Sequence, residues 1–323
     1  MSAVPSTDAP RTDGRPVALV LRALGLGDLL VSVPALRALR RARPEHRVLL
    51  AAPEWLRPVV ELTGAVDALL PVTGLDGPLP WAGPVDLAVN LHGRGPQSHA
   101  LLDVLGPRER IGHAAPGWDG PVWTDVVLER ARWVAVLAHH GLAGDPDEVA
   151  VARTAVPSPA PGAVVVHVGA AFGSRSWPAE RFAAVVRALA AEHRVVLTGS
   201  AAERGRATAV AEQGGLPEAA NLAGRTDLGA LAALVADAAL LVSVDTGAAH
   251  LATAYATPSV VLFGPAPPER WGPPPGGPHV VLTDARVRTG DAFSDVPDPA
   301  LLAVGVDDVL AAAHGLLGAQ RRG

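Results

Sequence analysis

In the stretch LLVSVDTGAAHLATA, residues 240–254, an apolar run stops at Asp245-Thr246-Gly247 and small residues carry on with helical character. A carboxylate, a hydroxyl and a glycine at such a junction allow two kinds of chemistry. An aspartic-protease triplet works because two carboxylates share a proton, so it needs a mainly β surround and a second matching triplet or dimerisation. The helical GAAHLATAYA that follows argues against that reading. The other reading is an anion site. The free N–H groups of Thr246, Gly247 and Ala248 at a helix start carry partial positive charge, and Gly247 lets an anion approach closely. Asp245 can then bond neighbouring hydroxyls. His250 lies one turn on from Thr246 on the same face, either toward a ligand or as a packed histidine.

Three more turns carry groups of chemical interest. In RALGLGDLL, residues 22–30, Gly25 and Gly27 suggest a dinucleotide fingerprint, but Leu30 occupies the third glycine position and Asp28 sits where a pyrophosphate would approach. A carboxylate repels phosphate, so Asp28 suits an uncharged partner such as a hydroxyl to be deprotonated; helix capping is the plainer alternative. In HVGAAFGSRSWP, residues 167–178, small residues let the backbone come close to a ligand. Ser174, Arg175 and Ser176 add donors and one fixed positive charge that suit a diphosphate, although a plain solvent loop has the same composition. In TGSAAERGRA, residues 198–207, Ser200 and Glu203 form an S-x-x-E capping box, and Glu203 could instead accept hydrogen bonds from ribose hydroxyls.

These turns need strands before them and helices after them. The runs 163–168, 194–198, 239–244 and 259–263 are continuous and β-branched, as in strands buried on both faces. Helical patterns alternate with them: PAERFAAVVRALAAE with Pro178 in its first turn, SAAERGRATAVAE and DLGALAALVADA. This spacing predicts a parallel, doubly wound α/β sheet, in which ligands bind beyond the carboxyl ends of the strands. The first half repeats the theme with strands at 17–21, 47–51 and 85–91, and a helix over LLVSVPALRALRRAR that kinks at Pro34 or starts near Ser32. A terminal helix is expected over VDDVLAAAHGLLGA.

With 323 residues the chain is long enough for two domains. The expected division is a disordered tail at 1–16, a first Rossmann-like domain at 17–155 and a second at 161–323, separated by the Pro-dense RTAVPSPAPGA. No cysteine is present, which excludes disulfides, thiolate chemistry and a Cys-ligated zinc site. The net charge of −5 offers nucleic acid no overall attraction. All 27 basic residues are arginine, so an arginine at any one site can be the default cation of this chain. There is no apolar h-region and no run long enough for a membrane span, so a cytoplasmic location is expected. Arg37, Arg40, Arg41, Arg43 and Arg47 read first as a solvated helix face, with an anionic membrane surface or acceptor as the alternative.

The motifs taken together resemble glycosyltransferase family 9, the ADP-heptose:lipopolysaccharide heptosyltransferase family. The resemblance rests on LGLGDLLVSVPALRALRRARP, HVGAAFGSRSWPAERF, LTGSAAERGRA, the long block NLAGRTDLGALAALVADAALLVSVDTGAAHLATAYATPSVVLFGP, and RWGP, in the family's order across most of residues 17–275. It implies a GT-B type fold, two Rossmann-like domains with parallel sheets facing across a cleft. It also implies an ADP-activated heptose or similar donor, a glycan or glycolipid acceptor, and inversion without a catalytic metal or other cofactor. By motif, Asp28 is similar to the acceptor-activating base, and Glu203 to the ribose-contacting acid. Gly27, Ser174, Asp245, Thr246, Gly247, Ala248 and His250 fall on the donor side. Arg175 stands where family members usually have lysine; it keeps a role in balancing leaving-group charge but not one in donating a proton. No D-x-D metal motif lies in a strand-end turn, and DPD at 145–147 reads as an exposed loop. NLHGRGPQSHALL, residues 90–102, lies where an acceptor is expected, with no individual role assigned to His92, Arg94 or Gln97. A sugar-nucleotide epimerase on the same scaffold and a non-catalytic sugar-nucleotide sensor are the alternatives.

Overall fold

The computed structural model describes residues 14–125 and 127–320. The tail expected at 1–16 falls, up to residue 13, outside the described residues. The chain forms two compact units that divide between Val149 and Ala150, ahead of the Pro-dense stretch.

The first unit holds β1 (Val17–Leu21), β2 (Arg47–Ala52), β3 (Ala68–Pro71), β4 (Leu87–Asn90) and β5 (Glu109–Ile111), in the order β3-β2-β1-β4-β5. Every pairing is parallel. All five residues of β1 are buried, which is why VALVL shows no alternation: both faces of the central strand are covered. The chain winds outward from β1 through β2 to β3, then crosses to β4 on the other side. In sheets of this order ligands bind beyond the carboxyl ends of the strands where the winding reverses, which here is between β1 and β4.

The helix after β1 runs from Leu26 to Ala42, so it passes through Pro34, as one of the two expectations has it, and does not start near Ser32. Gly25 is its extended N-cap, so the glycines that suggest a loop belong to the helix entrance, and Asp28 lies in the first turn. Pro34 sits inside the helix. Its missing N–H leaves one carbonyl a turn earlier without its usual donor, while burial of Leu29, Leu30, Val33 and Leu36 holds the segment in place. The helix packs against Glu129–His139.

The second unit holds β6 (Val164–His167), β7 (Val195–Thr198), β8 (Leu240–Val244), β9 (Ser259–Leu262) and β10 (His279–Leu282), all parallel, in the order β10-β9-β8-β6-β7. Here the winding reverses between β6 and β8, an order of the flavodoxin kind, whereas the first sheet has the Rossmann order. Phe182, Val186 and Leu189, spaced on one helix face, join Val166, Leu197 and Val242 in a fully buried core. The terminal helix spans Val306–Gln320. Among the described residues no helix is long and apolar enough to cross a membrane.

Candidate functional site

Chemically capable side chains gather at the carboxyl ends of the central strands of each unit. In the first unit the organising residue is Arg22, which directly follows β1 and is 2% exposed. Its Nε donates to the Asp28 carbonyl at 2.9 Å and one terminal nitrogen to Asp28 Oδ1 at 3.1 Å; the other terminal nitrogen donates to the Leu91 carbonyl beyond β4. The guanidinium carbon lies 4.6 Å from the Trp133 ring centroid, a cation–π contact. Burial holds the Arg22 pKa below its ordinary value, against the opposing pull of Asp28 and Glu129, and an arginine keeps its charge through such a shift. The N-cap of this helix is Gly25, and the Asp28 side chain is bonded by Arg22. The plainer capping reading does not describe it: its carboxylate is half-exposed, held by Arg22 and placed at the positive end of the helix dipole. Gly27, beside it, is half-exposed.

His92 lies just beyond β4, at the same end of the sheet. Ala23 N–H donates to His92 Nδ1 at 3.2 Å, and His92 N–H donates to Asn90 Oδ1 at 3.0 Å. Burial, then the Arg22 charge, lowers the His92 pKa, with Asp28 opposing. Arg94 and Gln97 are exposed. Deeper in the unit, Glu129 and Arg132 form a fully buried pair at 3.3 Å, and the Arg132 guanidinium lies 3.9 Å from the Trp123 ring.

In the second unit Asp245 follows β8 and is 4% exposed. Its carboxylate stands 3.4 Å from the Arg175 guanidinium and 3.7 Å from His250 Nε2. The helix Gly247–Tyr255 begins next, with Thr246 as an extended N-cap whose hydroxyl bonds Ser243 Oγ at 3.0 Å instead of capping the helix. The first N–H groups of this helix have no intrahelical acceptor. Thr246 and Gly247 are half-exposed at the surface, whereas Ala248 is buried. A helix thus begins at the expected turn, and the Asp245 carboxylate lies beside a cation and an imidazole.

Glu203 works differently from a capping box. Its two carboxylate oxygens accept from Ala170 N at 2.7 Å and Ser200 N at 2.6 Å, tying the turn after β6 to the turn after β7. The Ser200 hydroxyl makes no reciprocal cap, and the helix starts at Arg204. A Cβ at Gly169 would lie 2.4 Å from Glu203 Oε2, so a side chain there would push this carboxylate away from its two N–H donors. Ser174, expected to donate to a diphosphate, is turned inward. It is 0% exposed, and its hydroxyl donates to the Ala292 carbonyl at 2.8 Å. His167, at the end of β6, bonds Thr198 Oγ1 through Nδ1 at 3.0 Å, and burial lowers its pKa.

Arg22 stands at the head of RALGLGDLL, where no role was expected for it. The signal was there, since a charged residue placed directly after a wholly apolar strand is costly to bury without partners. The Glu129–Arg132 pair gave no comparable signal, because on a helix with this spacing it looks like an ordinary exposed ion pair.

The model of glycosyltransferase family 9 (heptosyltransferase) matches residues 138–285. Lipopolysaccharide heptosyltransferase 2 of Escherichia coli K12 is 24% identical over 343 aligned positions, covering 85% of this chain and 91% of that protein. The chain resembles glycosyltransferase family 9 over residues 138–285. It is a glycosyltransferase, and the epimerase and sensor alternatives are not favoured. The crystal structure of the glycosyl transferase family 9 protein from Veillonella parvula has a TM-score of 0.76 at 21% identity, covering 95% of this chain and 98% of that one. The structure of the E. coli ADP-heptose lps heptosyltransferase II has a TM-score of 0.73 at 21% identity, covering 94% and 99%. The fold is therefore α/β of the GT-B type, with two parallel five-stranded sheets.

Proposed function

We propose that this glycosyltransferase moves a heptose or a similar sugar from an ADP-activated donor to a hydroxyl of a glycan or glycolipid, with inversion at the anomeric carbon and without a catalytic metal. The donor class is supported by the ADP-heptose named for the similar E. coli structure, and the acceptor class by the lipopolysaccharide named for the E. coli relative. The observation that carries the reading is the grouping of Arg175, Asp245 and His250 at the start of the Gly247–Tyr255 helix.

The acceptor oxygen attacks the anomeric carbon as its proton passes to the Asp28 carboxylate. The bond from that carbon to the β-phosphate oxygen breaks, and ADP leaves with the electron pair. The helix start at Thr246 and Gly247 faces the negative charge growing on the diphosphate. Arg175, held by Asp245, adds a full positive charge in the place of the family's usual lysine. Each such preorganised group contributes roughly 3 kcal/mol to lowering the barrier. Glu203, already shaping the turns after β6 and β7, is placed at the ribose. The division expected from the sequence, an acceptor side at 17–155 and a donor side at 161–323, is part of this proposal. So is a cytoplasmic location, with peripheral association at the inner membrane face.

The test is a panel of ADP-, GDP-, UDP- and dTDP-linked sugars, followed by titration calorimetry and by NMR of the product linkage. ADP-heptose is expected to bind most tightly, to give a product of opposite anomeric configuration to the donor, and to react at an unchanged rate in EDTA. Preference for another nucleotide would overturn the donor assignment, retention of configuration the single displacement, and loss of rate in EDTA the metal-free step.

A further inference from the structure

We propose that His92 is an acceptor-contacting residue, whose Nε2–H donates to the oxygen of the incoming hydroxyl and so turns that hydroxyl's proton toward Asp28. The proposal deepens, and rests on, the reading of Asp28 as the base.

Three observations carry it. First, the position of His92 is fixed from both sides. Leu91 N–H donates to the Leu21 carbonyl at 3.1 Å, the Leu91 carbonyl accepts from Arg22, and His92 N–H is taken by Asn90 Oδ1. The guanidinium that holds the Asp28 carboxylate thus also holds the residue next to His92. Second, the tautomer is set by a partner that can only donate. Ala23 N–H points at Nδ1, so Nδ1 carries the lone pair and the proton of the neutral ring sits on Nε2. The nearby Arg22 charge opposes a second proton, in keeping with the lowered pKa. Third, Nε2–H donates to none of the described residues, although the ring is half-buried and feels the charges of both Arg22 and Asp28. A neutral donor next to a carboxylate matches an alcohol, which accepts from one and donates to the other. It is a poor match for phosphate, which would call for a cation.

The side-chain amides separate this role from a structural one. In His92→Asn the amide oxygen still reaches Ala23 N–H, but nothing reaches outward. In His92→Gln the longer amide can place an N–H near the Nε2 position. The full chain is assayed with ADP-heptose and, as acceptor probe, deacylated lipopolysaccharide core, beside ADP release to water and calorimetric titration with ADP. His92→Asn is expected to lose about tenfold in kcat/KM for the acceptor, the worth of one hydrogen bond to a substrate hydroxyl. His92→Gln is expected to fall less, by about threefold, while ADP affinity stays as in the parent and release to water, whose oxygen His92 would hold in the same way, falls in the same order. 15N NMR of the imidazoles is expected to show His92 protonated at Nε2.

The reverse order, with Asn active and Gln impaired, would mark the ring as a structural prop and overturn the proposal, as would protonation at Nδ1. Should the probe accept no sugar even from the parent chain, its titration into the parent and into His92→Asn decides: weaker binding by the variant is expected, and equal binding overturns. Asp28→Asn, run in parallel, separates the two readings. If it stays active while the His92 order holds, the base assignment fails alone. If it is inactive while the His92 order is reversed, the present proposal fails alone.

Discussion

Glu203 shows how one carboxylate can shape a site before any ligand arrives. With one oxygen on Ala170 N and the other on Ser200 N, it fixes two strand-end turns whose backbone donors would otherwise lack acceptors. Glu203→Gln keeps the volume but offers a single acceptor, so one N–H faces the amide NH2. A loss of about 1–2 kcal/mol in urea unfolding is expected, together with weaker ADP binding; an unchanged unfolding midpoint would show that these bonds do not hold the turns. The S-x-x-E spacing was legible at this site, and half of its chemistry was right: the Glu reaches back to the Ser200 N–H. The bond to Ala170 was not legible, because it joins turns 33 positions apart and is created by the β6–β7 pairing. Ser174 was misjudged for a similar reason. A hydroxyl in a Gly/Ser loop looks available, but here residues 292–298 fold back over it, accepting from its hydroxyl and N–H and donating to its carbonyl.

That strap is itself held by one group. Asp298 is 2% exposed and caps the helix Pro299–Leu302 through Ala300 N at 2.9 Å, while also accepting from the Thr289 hydroxyl at 2.6 Å and the N–H groups of Thr289 and Gly290 at 3.1 Å. Burial would raise its pKa, but these hydrogen bonds outweigh it and hold the carboxyl below its ordinary value. A depressed carboxylate stabilises the fold above its unfolded pKa of about 3.9 and loses that contribution as pH falls through the lower folded value. Asp298→Asn is therefore expected to unfold more easily at pH 7, by about 2 kcal/mol, and to show a flatter decline in stability below about pH 4 than the parent chain. Urea titrations across that range check both, and parallel declines would contradict the assignment. In the first unit, Glu129→Gln leaves Arg132 buried with less countercharge and is expected to destabilise by about 3 kcal/mol, whereas the double change Glu129→Leu with Arg132→Met recovers most of the loss. Among elements, the central strands were legible because they are wholly buried and uninterrupted. The short edge strands β3, β5 and β10 were not: β5 leads with Glu109 and Arg110, and the apolar runs of β3 and β10 cover only 68–70 and 280–282.

For the whole molecule, the second half was the more legible, and the family model also falls mainly there, on residues 138–285. The first half announces itself chiefly through LGLGDLL, whose glycines hide the start of a helix. The basic stretch 37–47 finds partners within its own unit: Arg37 and Arg41 reach Glu148, Arg40 pairs with Asp67, and Arg43 reaches Glu109. Much of that charge is balanced locally, so weak, salt-sensitive adhesion to anionic vesicles is the most it should provide, and sedimentation with such vesicles should fall away at 0.5 M salt, on the order of the ionic strength that shortens screening to a few ångströms. The central claim divides the labour: Asp28 handles the proton, and Arg175 with the start of the Gly247–Tyr255 helix handles the departing charge. Its most direct test is Asp28→Asn, measured for ADP-heptose affinity and for turnover on one sample. Affinity within about twofold of the parent with turnover reduced by about a thousandfold or more is the expected result. Turnover that survives the change, or affinity that collapses with it, would contradict the account.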